Sequence, residues 1–145
     1  MTTNWNEALA AVQQAASILI VTHVKPDGDA IGSLLGLAIG LREMGKRVDA
    51  AVDGGVPLYL RFIPQQETVI SELAQGQWDL MISVDASDEE RTGEVGMFGR
   101  AHSAAVVNLD HHATNTLFGN FHLVVPEAVS ASEVVFDWLV RFEHP

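Results

Sequence analysis

The chain has 145 residues, no cysteine and a formal net charge of −11, with 48% hydrophobic and 19% charged residues. This length predicts a single domain with its own core, and the composition argues against disorder, disulfides and thiolate metal sites. We see no signal peptide and no apolar stretch long enough to span a membrane, so we expect no membrane contact and a cytoplasmic location. Because the chain is so acidic, a polyanionic partner would need help from bound cations or from another domain.

Five short apolar runs alternate with helical patterns along the chain. The runs predicted as strands are 17–22, 46–52, 79–84, 104–109 and 121–125. The predicted helices are 7–15, 29–44 and 130–139, with shorter ones at 69–76 and within 89–98. Residues 58–64 fit either a short helix or an extended segment. This alternation predicts an α/β fold with a mainly parallel sheet of about five strands and helices on both faces.

Three glycines, Gly32, Gly36 and Gly40, recur every four residues along the helix predicted over 29–44. The same spacing occurs in membrane helix dimers, but in a soluble chain we expect it to allow close packing of the helix on the sheet. Gly45 follows the helix in the position of a C-terminal cap.

Potential metal ligands cluster where predicted strands end. His23, Asp27 and Asp29 follow the first strand, Asp85 directly follows the third, and Asp110–His112 directly follow the fourth. In folds of this class, ligands bind beyond the carboxyl ends of the strands. We therefore expect these side chains to face one crevice.

The conformation of the first cluster is left open by the sequence. Pro26 disfavours helix at Lys25, so the segment that leads to Asp27 is predicted to be an extended loop. In such a loop Asp27 and Asp29 would point to the same side, or diverge slightly and serve two adjacent metals. Asp29 could instead cap the following helix.

So many carboxylates at buried strand ends would repel one another without cations. Carboxylate and imidazole ligands without sulfur suit Mn²⁺, with Mg²⁺, Co²⁺ or Zn²⁺ as alternatives. The groups exceed what one ion needs, and two ions that share a carboxylate would use them and activate a water for attack on phosphorus.

Three ordered motifs make the chain resemble the DHH phosphoesterase superfamily: His23–Ser33, Val84–Asp88 and Asn108–Asn115. Within it, the chain is most similar to the N-terminal domain of nanoRNase/pAp phosphatases. The resemblance implies a DHH domain and a manganese-dependent phosphoesterase that hydrolyses short oligoribonucleotides, 3′-phosphoadenosine 5′-phosphate (pAp), or both. A cyclic-di-AMP phosphodiesterase would use the same chemistry, and a non-catalytic metal- or nucleotide-binding fragment is the alternative from another class.

The resemblance also assigns ligands to two metal ions. It implies that His23 and Asp27 hold the first ion and that Asp29 and His111 hold the second. Asp85 would bridge the two.

The remaining roles concern substrate and catalysis. The resemblance implies that His112 faces the substrate phosphate as a positioner or proton donor. It implies that Asp110 orients the adjacent histidines, a role that metal-bound imidazoles usually require. Asn115 would fix the loop and is a candidate for substrate contact.

Two features of the family are not found in this sequence: a fourth acidic ligand after the last helix, and a C-terminal DHH-associated domain that grips substrate. We therefore expect residues 1–145 to be the catalytic domain of a longer protein. The expected partners are a short RNA or nucleotide substrate and the missing domain, and a homodimer is possible.

Several other polar residues lack a ligand-like context. His102, His122 and His144 are expected to be structural or exposed. Ser33 is expected to start a helix, because no motif pairs it with a base that would make it a nucleophile.

Overall fold

The structure is a computed structural model that describes residues 2–143, and these residues form one sheet with helices on both faces. The strands are β1 (Thr2–Thr3), β2 (Ser17–Val21), β3 (Arg47–Ala51), β4 (Trp78–Val84), β5 (Ser103–Asp110) and β6 (Phe121–Val124). The helices are α1 (Trp5–Gln14), α2 (Gly28–Glu43), α3 (Gly93–Ala101) and α4 (Ala131–Glu143). None of the helices in this part of the chain has the length and apolarity that a bilayer crossing requires.

The sheet has the order β1-β6-β5-β4-β2-β3. All neighbouring strands are parallel except β1, which pairs antiparallel with β6 at the edge. The predicted α/β class and the five parallel strands are thus confirmed. The sequence did not indicate β1, because two residues are too few to show a periodic pattern.

Apolar side chains pack on both faces of the sheet. On one face α1, α2 and α4 cover the larger core, which includes Ile18, Ile20 and Ile82. On the other face α3 packs over Leu19 and Met81. Strands buried on both faces explain the continuous apolar runs that predicted them.

Gly32 and Gly40 of α2 face another helix and not the sheet, so the predicted helix-to-sheet contact is wrong. A Cβ on Gly40 would lie 2.8 Å from the Leu139 side chain of α4, and one on Gly32 would approach Ser132 of the same helix. Gly36 has open space around it. The large side chains of α2, such as Leu34 and Leu37, are the ones buried in the core.

The predicted helix at 69–76 is also wrong. Ile70 forms an isolated bridge with Ala51, and its backbone N–H donates to Ala50 O at 2.8 Å. The edge of β3 thus pairs with the backbone of Ile70, which also accepts a hydrogen bond from Val52 N at 3.0 Å. The undecided segment at 58–64 begins with a short 3₁₀ helix, Leu58–Leu60.

The strand order reverses between β2 and β4. From β2 the chain crosses to β3 at one side, and β4, β5 and β6 follow on the other side. Connections that leave neighbouring parallel strands in opposite directions open a crevice at the carboxyl ends of those strands. The loops after β2 and β4 border that crevice.

Candidate metal centre

A polar cleft of about 510 Å³ opens at the carboxyl ends of β2, β4 and β5. The residues that line it are His23, Asp27, Asp29, Asp85, Ser87, Arg91, His111, His112 and Thr114. The structure thus brings together, from separate loops, every side chain that the sequence suggested as a metal ligand. Asp110 and Asn115 lie behind this lining.

The loop after β2 bends at Val24 and Lys25 and is extended again at Asp27, so the predicted extended loop is interrupted before it reaches α2. Lys25 has a left-handed backbone with φ of 51°. Asp27 is the N-cap of α2, because its Oδ1 accepts a hydrogen bond from Ala30 N at 2.9 Å. The alternative in which Asp29 caps α2 is therefore wrong, since Asp29 already lies in the first turn of the helix.

Asp29 caps a different helix, α4. Its Oδ2 accepts from Ala131 N at 2.9 Å, and its Oδ1 accepts from Ser132 N at 3.0 Å and from Ser132 Oγ at 2.7 Å. Burial raises the pKa of Asp29, but these hydrogen bonds outweigh it and hold the pKa below its usual value. Ser33 in the next turn also lies within reach of Asp29 Oδ1. The carboxylate is therefore ionised and held in place.

Asp85 is the most buried carboxylate that lines the cleft, with 3% of its surface exposed. Its backbone is left-handed, with φ of 61°, and its N–H donates to Leu109 O at 3.0 Å. Its Oδ1 is buried and has no hydrogen-bond partner among residues 2–143. Burial raises the pKa of the carboxyl group, with neighbouring Asp29 adding to the effect.

The two oxygens of Asp85 face two different sets of ligands. On one side, Asp85 Oδ2 lies 3.5 Å from His23 Nε2, which is 3.8 Å from Asp27 Oδ1. On the other side, Asp85 Oδ1 lies 3.5 Å from His111 Nε2, which is 3.7 Å from Asp29 Oδ2. Ligands that share one small cation at about 2.1 Å are about 3–3.5 Å apart, so both sets have nearly this spacing.

His23 is oriented by the backbone. Its Nδ1 lies 2.7 Å from Val24 O, so Nδ1 carries the proton and Nε2 faces Asp85. The Asp85 carboxylate raises the pKa of His23, although burial opposes this. A carbonyl that holds the far nitrogen of the ring is the usual support for a metal-binding histidine.

Asp110 and Asn115 hold His112 from behind the cleft. Asp110 is fully buried, and its Oδ1 accepts a hydrogen bond from His112 Nδ1 at 2.7 Å. Its Oδ2 accepts from Asn115 Nδ2 at 2.9 Å. Asn115 also exchanges two hydrogen bonds with the side chain of Asn108. His112 Nε2 is thus left for the cleft, and 45% of the side chain is exposed.

These residues fit divalent cations. His23, Asp27 and Asp85 offer ligand atoms within 4.8 Å of one another, and a second such group consists of Asp85, Asp110, His111 and His112. Asp29 is in neither group, but its Oδ2 lies 3.7 Å from His111 Nε2. The buried and unpaired Asp85 Oδ1 requires a positive partner, because an unpaired charge inside a protein is costly. A bound cation would also favour the ionised carboxyl group of Asp85 over the protonated one.

The sequence reasoning missed three residues of the cleft: Ser87, Arg91 and Thr114. Ser87 and Thr114 stand inside two of the quoted motifs, but no role was assigned to them. Arg91 lies outside the motifs and follows a run of acidic residues that indicates a solvated loop. Among the other histidines, His102 stacks on a phenylalanine and His122 contacts Gly119 O, which agrees with structural roles. His144 lies outside the described residues.

Comparison with known proteins identifies related sequences. The profile of the family described as "DHH family, N-terminal domain" matches residues 17–144. A Thermus thermophilus protein named bifunctional oligoribonuclease and PAP phosphatase NrnA is 37% identical over 134 residues, which are 90% of this chain and 38% of that protein. The Bacillus subtilis protein of the same name is 28% identical over 95% of this chain and 43% of its own length. The chain thus spans roughly two fifths of the curated relatives that it matches.

Solved structures share the fold. An exopolyphosphatase-related protein from Bacteroides fragilis superposes with a TM-score of 0.85 and 28% identity, over 95% of this chain and 43% of that one. The exonuclease RecJ bound to manganese superposes with a TM-score of 0.58 and 19% identity, over 99% of this chain and 38% of that one.

Proposed function

Since the chain belongs to the DHH family, we propose that it forms the catalytic domain of a phosphoesterase that uses two divalent cations. The observation that carries this proposal is the placement of Asp85. Each of its carboxylate oxygens faces a separate group of one histidine and one further aspartate. A buried carboxylate shared in this way is what a pair of adjacent ions requires.

The proposed ligands divide between the two sides of Asp85. His23 and Asp27 would hold one ion, and Asp29 and His111 would hold the other. We propose Mn²⁺ for both, because a mixed set of carboxylate and imidazole ligands without sulfur suits this ion. Bound there, the cations would supply positive charge to the phosphoryl oxygens of the transition state and would assist deprotonation of the attacking water.

His112 is the proposed proton donor to the leaving-group oxygen. The Asp110 carboxylate accepts the hydrogen bond from Nδ1 and thereby fixes the plane of the ring. A proton on Nε2 can then pass to the departing oxygen, which leaves the imidazole neutral. Asp110 and Asn115 act as positioning residues in this scheme, and direct contact of Asn115 with substrate stays a prediction.

The proposed substrates are short oligoribonucleotides and pAp. Their support is the name shared by the Thermus thermophilus and Bacillus subtilis relatives. Because those proteins are more than twice as long as the part that matches, we propose that further residues complete the enzyme and help to hold the substrate.

Hydrolysis by the full-length protein tests the reaction class. With Mn²⁺ and a diribonucleotide as substrate, we expect Asp85→Asn to lower kcat by at least about 1000-fold, because both metal groups lose their shared ligand. Asp137→Asn removes the same charge from an exposed position on α4 and should leave kcat unchanged. Comparable activity of the two variants would overturn the proposal.

A comparison of substrates tests the specificity. We expect the wild-type protein to hydrolyse the linear dinucleotide pApA and pAp faster than cyclic-di-AMP. A preference for cyclic-di-AMP would instead support the phosphodiesterase alternative.

A further inference from the structure

Arg91 lies in the acidic cleft and has no role in the proposed metal site. Among the described residues that line the cleft, it is the only arginine or lysine. The acidic residues in the lining are Asp27, Asp29 and Asp85, and three histidines also line the cleft. A guanidinium in this position is placed to meet an anion that enters the cleft.

The backbone of Arg91 is fixed against the metal-site loop. Its carbonyl oxygen accepts from Val24 N at 2.7 Å, directly beside His23. Its own N–H donates to Asp88 Oδ1 at 2.9 Å. The next residue, Thr92, is fully buried, and its hydroxyl donates to Glu89 O at 2.6 Å. These contacts set the distance of Arg91 from the cleft without using its side chain.

The acidic residues next to Arg91 in sequence are engaged elsewhere. Glu89 forms an ion pair with Arg100 at 2.8 Å, and one oxygen of Asp88 accepts the Arg91 N–H. Within residues 2–143, the Arg91 guanidinium makes no ion pair and no hydrogen bond that meets ordinary distance criteria. Its donors are therefore available to a ligand.

The net charge of the cleft explains why Arg91 would strengthen the binding of an anionic ligand. Two dications held by three aspartates would leave a net charge of about one positive unit, whereas a terminal phosphate carries up to about two negative charges near neutral pH. A guanidinium adds a charge that never titrates in this range and a fork of donors that matches two phosphate oxygens.

We propose that Arg91 is a substrate-binding residue that holds a phosphate of the nucleotide substrate while that substrate occupies the metal centre. This inference rests on the proposed phosphoesterase function and extends it to a residue for which neither the motifs nor the metal geometry accounts. The ligand chemistry is a phosphate monoester or diester with an accessible pair of oxygens.

The test uses the full-length protein and two ligands, Mn²⁺ alone and AMP in saturating Mn²⁺, both measured by calorimetry. We expect Arg91→Gln to keep the Mn²⁺ affinity of the wild type and to weaken AMP binding by about tenfold or more, because a charge-assisted bidentate contact is lost. Arg91→Lys keeps the charge but not the fork, so it should recover only part of the affinity. Arg47→Gln, at the amino end of β3, is the matched control and should bind AMP like the wild type.

The outcomes separate this inference from the function on which it rests. Normal Mn²⁺ binding with weakened AMP binding in Arg91→Gln alone supports the role of Arg91. Normal Mn²⁺ binding with unchanged AMP binding overturns that role and leaves the metal centre intact. Absence of Mn²⁺ binding in the wild type overturns the proposed function, and the Arg91 inference with it.

Discussion

At the scale of single residues, the strongest evidence for function is the unfavourable environment of the Asp85 carboxylate. A buried carboxylate with an unpaired oxygen and a left-handed backbone is unfavourable in three separate ways. The neighbouring His23 offsets only part of the effect of burial, because the pKa of Asp85 still lies above its usual value. Strain and unpaired charge of this kind concentrate where a ligand will bind.

Asp85→Asn should therefore stabilise the metal-free protein while it abolishes activity. The substitution removes the buried charge, and asparagine tolerates the left-handed backbone. We expect the free energy of unfolding in urea with EDTA to rise by about 1–2 kcal/mol. Asp137→Asn, which is exposed, should change it by less than about 0.5 kcal/mol. A large loss of stability in Asp85→Asn would show that the carboxylate serves the fold.

Asp110→Asn tests the proton-donor scheme. Asparagine can no longer hold the His112 ring with a charged acceptor, so we expect kcat to fall on the order of 100-fold or more. Mn²⁺ affinity should change much less, since Asp110 lies behind the cleft lining. Unchanged kcat, or a loss of both metals, would contradict the assigned role.

The ligand residues could be found from the sequence because they lie at or soon after the ends of apolar runs that only buried strands explain. The second role of Asp29 could not be found, because the N–H groups that it caps lie more than 100 residues away along the chain. Arg91 was missed for a related reason. Its position over the cleft depends on the hydrogen bond to Val24, which no local pattern encodes.

At the scale of elements, α2 and α4 are held together by hydrogen bonds to Asp29 and by close packing at Gly32 and Gly40. The carboxylate of Asp29 caps α4 from the first turn of α2. Gly32 and Gly40 on α2 then let α4 approach, and the Leu139 side chain packs over Gly40. The packing of α2 on α4 therefore fixes the position of the Asp29 carboxylate, which would hold the second ion.

Two alanine substitutions distinguish helix propensity from this packing. Gly36→Ala should raise the free energy of unfolding by about 0.5–1 kcal/mol, because the site is open and alanine favours helix. Gly40→Ala should gain less, since Leu139 must move away from the new methyl group. Urea denaturation of both variants measures the difference, and equal gains would contradict the described contact.

The amino ends of β2 and β4 are joined by Asp79, which makes stability depend on pH. Hydrogen bonds from the backbone N–H groups of Ala16 and Ser17 hold the pKa of Asp79 below its usual value. The stabilisation is present while the carboxylate is ionised and is lost as the pH falls through its lowered pKa.

We therefore expect Asp79→Asn to be less stable than the wild type near neutral pH. The gap in the free energy of unfolding should close as the pH is lowered below about 4. Urea titrations between pH 7 and 3 measure it. A gap that widens towards low pH would contradict the assignment.

Most elements followed from the sequence because strands buried on both faces and amphipathic helices have distinct periods. The predictions that were wrong concerned segments whose structure depends on tertiary contacts. Residues 69–76 had helical composition, but pairing of Ile70 with the edge of β3 decided their structure. The spacing of Gly32, Gly36 and Gly40 placed them on one face of the helix, but nothing in the sequence indicated whether that face would pack on the sheet or on α4.

At the scale of the whole molecule, the net charge of −11 on these 145 residues and the acidic cleft oppose the approach of a phosphate, and bound cations would reduce this repulsion. The strand order places the loops after β2 and β4 side by side, and the sequence could suggest this crevice only as a general rule for parallel sheets. The division of Asp85 between two sets of ligands was implied only by the family resemblance, because neither spacing nor periodicity indicates it.

The central claim is that two divalent cations bind on either side of Asp85, and a crystal structure of the full-length protein grown with Mn²⁺ tests it most directly. Anomalous scattering from manganese should give two peaks about 3.5–4 Å apart. One peak should contact His23 and Asp27, the other Asp29 and His111, and both should contact Asp85. A single peak, or peaks that leave Asp85 without a metal ligand, would contradict the account.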